Sequence, residues 1–247
     1  RSVIPPNGPT LWEIEGQEIL LYYARLPSTS PEVRKVIHDH FMVVMGPTTQ
    51  SFEKILETSD PYRSPIQTFT WGSNKAKAAQ ARLLQLMATY GPDAELARKA
   101  LGAAMGYAHY IHGMNPLGLV YLTNMAPAGA THSAATMFHA WFAFGTRWQR
   151  VSAVSPGPPP GFLVGGPNPQ FNTDGCCRAA FGTPAFGCYG ASTFSMCQRA
   201  LMPPKSQPPS KSYLQFDDPW PANSWEITEP SLGYQSYYIR LLASFVR

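Results

Sequence analysis

Two carboxylates three residues apart, Glu226 and Glu229, stand among aromatics in the segment NSWEITEPSLGYQSYYIRLLASFVR, residues 223–247. A carboxyl group set against apolar neighbours keeps its proton to higher pH, because low dielectric disfavours the ionised form, whereas a helix N-terminus pulls the other way. Where burial wins, such a group is an acid near neutral pH. The alternative is a helix-start Glu that does no more than satisfy free backbone N–H groups. Leu232, Ile239, Leu242 and Phe245 follow at roughly helical spacing, which predicts a last helix over 229–246 with the carboxylates at its head.

Four other sets of residues carry potential chemistry. Trp71, in WGSN, could offer an indole face to the CH-rich face of a sugar ring, or simply pack. Asn74 in the same block is read as a helix cap. The four cysteines, Cys176, Cys177, Cys188 and Cys197, crowd one Gly-, Pro- and aromatic-rich stretch. Their spacing lacks the paired C-x2-C of a zinc site and no His lies among them, so no metal site is assigned. Two disulfides are expected, Cys176 and Cys177 each pairing with one of Cys188 and Cys197, and with them an oxidising, extracellular compartment. Asp217 and Asp218 could bind calcium or act as turn residues, and the turn reading is favoured.

Charged residues are 14% and hydrophobic ones 44%, a low-charge globular balance. The net charge is +4 with Lys and Arg scattered, which argues against nucleic acid as a partner. Residues 100–146 contain no Asp, Glu, Lys or Arg, yet Asn115, Pro116, Asn124, His112, His132 and several Gly interrupt them. No run of about twenty apolar residues survives, so a membrane span is not expected. There is no initiator Met or secretory signal at position 1, and the chain is expected to be processed or excised.

Helices must position these groups. Leu11, Ile14, Ile19, Leu20 and Tyr23 recur at roughly three- and four-residue steps over 10–24. Ser30-Pro31-Glu32 starts a second helix that Gly46-Pro47 stops, and Ser73 or Asn74 opens a third that Gly91-Pro92 closes. Asp93 caps a fourth to about Gly113, and 137–144 suggests one short helix. No strand pattern stands out. The expectation is an all-α array of helical hairpins over 10–113, a loop-rich, disulfide-stapled cleft region over 114–224, and the last helix, all in one domain.

The block TEPSLGYQS, with Tyr234 five residues after Glu229, resembles the closing signature of glycoside hydrolase family 9, the inverting cellulases. Three more blocks match in order: TFTWGSNKAKAAQARLLQL at 68–86, YIHGMNPLGLVYLTNM at 110–125 and PGPPPGFLVGGPNPQF at 156–171. The resemblance implies an (α/α)6 barrel of six hairpins, of which this chain supplies roughly the C-terminal half plus long loops. It implies hydrolysis of β-1,4-glucan, with cellulose or cello-oligosaccharide as the partner and no required cofactor. Calcium sites occur in the family, but none maps here.

Inversion needs one carboxylic acid to protonate the leaving oxygen and one carboxylate to activate water, about 6.5–9.5 Å apart. By the family's spacing Glu229 is the acid and Tyr234 the aromatic that contacts sugar, leaving Glu226 as a secondary candidate. The chain departs from the family twice. The usual His-His-Arg, which binds sugar hydroxyls in the family's cleft, is missing, so His139, between Phe138 and Ala140 and close to Trp141, is the candidate for the lost substrate-binding imidazole, with a core histidine as the other reading. The Asp-Ala-Gly-Asp segment that supplies the base is also missing: the Asp residues at 39, 60, 93, 174, 217 and 218 lie in no such motif. The base is expected from an N-terminal segment or a companion chain. A non-catalytic carbohydrate-binding protein on a degraded hydrolase scaffold is the rival reading.

Overall fold

Ser30 begins the second helix as a side-chain cap, its Oγ accepting from the Val33 N–H at 3.4 Å, and Pro31 takes the first helical position, where a missing N–H costs nothing. The computed structural model describes residues 14–45, 55–91, 93–139, 146–152, 154–169, 208–215 and 225–246. The helices are α1 (Ile14–Ala24), α2 (Pro31–Val44), α3 (Ser73–Tyr90), α4 (Ala94–Ile111), the single turn α5 (Trp225–Thr228) and α6 (Leu232–Ala243). Asp93 caps α4, its Oδ1 accepting from the Leu96 N–H at 2.8 Å, and the Gly91 N–H donates to Met87 O as α3 ends. None of these helices is long and apolar enough to cross a membrane.

Three expectations change. The last helix is shorter than 229–246, running from Leu232 to Ala243. Pro230 biases the residue before it away from helical backbone and lacks an N–H, so Glu229 falls in the break between α5 and α6. Ser231 then starts α6, its Oγ accepting from the Tyr234 N–H at 3.2 Å. Met137–His139 are not helical, because the Phe138 N–H donates to Thr228 O at 3.3 Å; residues 140–144 lie outside the described ones. Short strands do occur. The strand β1 (Val120–Thr123) pairs in parallel with β2 (Ser133–Ala134), and β3 (Val151–Ser152) pairs antiparallel with β4 (Ser155–Pro156). Two to four residues are too few to show an alternating pattern.

Among the described residues the chain divides into two compact units, one built from Arg1–Gln67, Ala76–Tyr110 and Tyr237–Arg247, the other from Thr68–Lys75 and Ile111–Ser236. In the first, charged groups tie helices together. Arg82 and Arg240 both pair with Glu18, the Tyr237 hydroxyl donates to Glu15, and Gln85 Nε2 donates to Leu241 O at 2.7 Å.

Lys77 is the unusual member of that core, 1% exposed on α3. Its ammonium donates to Ser64 O and lies 3.8 Å from the centroid of the Tyr110 ring. The loop it holds is fixed by Asp60, which accepts from the Tyr62 and Ser64 N–H groups, and by the Tyr107 hydroxyl donating to Pro65 O at 2.6 Å. Burial pulls the Lys77 pKa down to about 7, against a smaller upward pull from Asp60. Between that value and the ordinary lysine pKa the unfolded chain binds the extra proton. Stability contributed through Lys77 is therefore lowest at and below pH 7 and recovers as pH rises, by about 2 kcal/mol between pH 7 and 9. Urea midpoints across that range should rise in the wild type relative to Lys77→Met; parallel curves would disprove it.

The second unit is organised by side chains that bond to backbone. Asn115 Nδ2 donates to Leu119 O, and its Oδ1 accepts from the Leu117 N–H, closing the NPLG turn in the way turn asparagines do. The Asn124 amide donates to Pro156 O and Pro158 O, and Thr123 Oγ1 donates to Pro159 O, so the proline-rich loop is laced along β1. Gln235 on α6 grips Leu163 at both backbone groups, accepting from its N–H at 2.8 Å and donating to its O at 2.9 Å.

Candidate active site

The block LVGGPN brings three distant segments together. Asn74, at the start of α3 and fully buried, donates its backbone N–H to Gly165 O and its Nδ2 to Val164 O at 3.0 Å. The expected helix cap is thus corrected: the Asn74 side chain binds across to LVGG and does not close its own helix. Gly166, at φ +97°, leaves the space that Asn74 fills, and its N–H donates to Ile227 O at 2.9 Å. Gly165 lies so close to the backbone of Ile227 that a methyl group there would fall 2.8 Å from its carbonyl oxygen. These two glycines seat the α5 segment, and with it Glu229.

Glu229 is 9% exposed, and its two oxygens meet different groups. Trp71 Nε1–H donates to Oε2 at 2.7 Å, while His139 Nε2 lies 3.5 Å from Oε1. His139 reaches that position because Phe138 is bonded to Thr228, immediately before Glu229. Burial holds the Glu229 carboxyl above the usual carboxylate range. The indole N–H and His139 pull it partly back, and Glu226 pushes it further up. A carboxyl that burial holds above the usual carboxylate range, with one oxygen fixed, can deliver a proton.

Tyr234 lies beside the acid. Trp71 and Gly72 are consecutive, and where Trp71 bonds Glu229, Gly72 at φ +79° accommodates Tyr234: a methyl group there would fall 2.6 Å from Tyr234 Oη. Burial, and then the Glu229 charge, raise the Tyr234 hydroxyl far above its ordinary pKa, so it stays protonated. Glu226 is half-buried and accepts from Asn168 Nδ2 at 3.4 Å, a bond to the LVGGPN block. Trp71 remains 42% exposed, leaving surface for a ligand beyond the indole N–H already in use.

Trp71, His139, Tyr234, Glu226 and Glu229 are therefore brought together. Cys176, Cys177, Cys188, Cys197, Trp141, Asp217 and Asp218 lie outside the described residues. Sequence reasoning missed Gly72, which the WGSN block displayed without saying what it faces. It also missed the Gln235 clamp, for which no signal exists in sequence because its partner is 72 residues away.

The model of glycosyl hydrolase family 9 matches residues 19–242. The chain belongs to glycosyl hydrolase family 9. Solved structures of family 9 endoglucanases are similar in fold. The endoglucanase J30 shares 20% identity with a TM-score of 0.62, over 94% of this chain and 34% of its own. AaCel9A, solved in complex with cellobiose-like isofagomine, shares 21% with a TM-score of 0.60, over 92% and 34%. A metagenome-derived family 9 endoglucanase shares 22% with a TM-score of 0.57, over 92% and 32%. This family 9 chain thus spans about a third of the length of the solved structures it matches. Among curated proteins no match is found.

Proposed function

We propose that this family 9 chain is the C-terminal part of a secreted cellulase that hydrolyses β-1,4-glucosidic bonds with inversion, Glu229 donating the proton to the leaving oxygen. The observation that carries the reading is a buried carboxyl with a raised pKa whose oxygens are divided between an indole N–H and an imidazole. Tyr234, with its protonated hydroxyl beside the acid, contacts the sugar, and the exposed part of Trp71 supports it. Glu226 holds the site through Asn168 and is not the donor. The fold that surrounds the site is the six-hairpin (α/α)6 barrel, completed by residues beyond this chain. Those residues, on the same polypeptide or a companion, supply the aspartate base that deprotonates water on the far face of the sugar. The solved endoglucanase J30, and AaCel9A with its bound cellobiose-like isofagomine, support β-1,4-glucan or a cello-oligosaccharide as substrate.

Inversion has a direct signature. Proton NMR of the first reducing ends released from a soluble β-1,4-glucan by the complete protein should show the α-anomer ahead of mutarotation. First appearance of the β-anomer would overturn inversion. Binding of glucan with no release of reducing ends would replace the enzyme with a carbohydrate-binding protein.

A further inference from the structure

An acid that gives up its proton at every turnover must regain one from solvent, and Glu229 is nearly closed to solvent. Each of its neighbours can be tested as the source. Trp71 occupies Oε2 with an indole N–H, a donor that neither accepts nor releases a proton in this range. Tyr234, buried beside it, holds its hydroxyl proton too tightly. Glu226 is itself an acceptor, engaged by Asn168. His139 is different: its side chain is 55% exposed, whereas that of Glu229 is 12% exposed, and its Nε2 faces the oxygen that Trp71 leaves open.

We propose that His139 is the proton relay that recharges Glu229 between turnovers. It rests on the reading of Glu229 as the acid. With Oε2 accepting from Trp71, the transferable proton resides on Oε1. After Glu229 has protonated the leaving oxygen, the imidazolium of His139 passes its Nε2 proton to the Oε1 carboxylate and keeps the proton on Nδ1. The neutral ring then takes one proton back from water on its exposed side. One proton leaves the acid for the leaving group and one enters from solvent, so the balance closes with no other reactant. This role is separate from the sugar-hydroxyl contact expected of an imidazole here.

The test uses the complete protein with His139→Ala and Glu229→Gln. The expected result for His139→Ala is a fall in kcat on β-1,4-glucan of about 10- to 100-fold with little change in KM, reversed in part by free imidazole in the buffer. An unchanged kcat, a raised KM alone, or a lost kcat that imidazole does not restore at any pH would overturn the relay. If Glu229→Gln keeps full activity, it is the acid assignment that fails. A readout without turnover accompanies these: the Glu229 carboxyl, followed by carbon NMR, should titrate at higher pH in His139→Ala, since His139 favours the carboxylate. An unmoved titration would also overturn the relay.

Discussion

Glu229→Gln is expected to lower kcat on β-1,4-glucan by about 10²- to 10⁴-fold, the range that general acid catalysis contributes. The amide fills the space of the carboxyl and can still accept from Trp71 Nε1, so the site keeps its shape while losing its acid. The loss should depend on the leaving group. A dinitrophenolate departs without protonation, so an aryl cellobioside carrying it should suffer far less than the polymer. The pH profile should change as well. Glu229 works while protonated, so activity in the wild type falls as pH rises through its elevated pKa, and the variant loses that limb. Glu226→Gln should cost much less, because Trp71 and His139 meet Glu229 while Glu226 accepts from Asn168. If the two variants reverse in severity, the donor is Glu226.

Gly166→Ala is expected to destabilise the protein by about 2–4 kcal/mol, the sum of backbone strain at a positive φ and overpacking. Its new methyl group would lie 2.5 Å from the buried Asn74 side chain, which cannot retreat without releasing Val164 O. Gly161 provides the comparison: its φ is +89° but nothing lies within 4 Å of the added carbon. Gly161→Ala should therefore show the strain alone, about 1 kcal/mol. Urea unfolding of the two variants separates the effects, and equal losses would show that the contact with Asn74 is not tight. Activity should fall with Gly166→Ala too, since the N–H of Gly166 holds the carbonyl of Ile227, two residues before Glu229.

The legible parts of the fold were those written in local chemistry. Ser30-Pro31, Asp93 and Gly91 punctuate helices by satisfying or lacking nearby backbone groups, and the helices begin and end where these residues stand. The family blocks singled out Glu229 with Tyr234 five residues on, and Trp71 separately, without saying that the three meet. What stayed hidden depends on partners far along the chain. Asn74 looks like a cap in sequence because its true acceptor is Val164, 90 residues on. The segment at Met137 has helical composition, yet Thr228 captures the Phe138 N–H. Pro230 delays the last helix to Leu232 and leaves Glu229 in the break before it. Trp71 reads in sequence as a stacking face or a packing residue, whereas in the structure its indole N–H binds Glu229.

Consecutive Trp71 and Gly72 touch Glu229 and Tyr234, which are five residues apart, so one short turn acts as a gauge for the interval between acid and tyrosine. Adding or removing one residue at the start of α6 would swing Tyr234 about 100° around the helix, off Gly72. Exchanging Leu232, 89% exposed within that interval, would move neither. The stretch therefore tolerates changes of letter and not changes of length, which is why a count of residues can mark it.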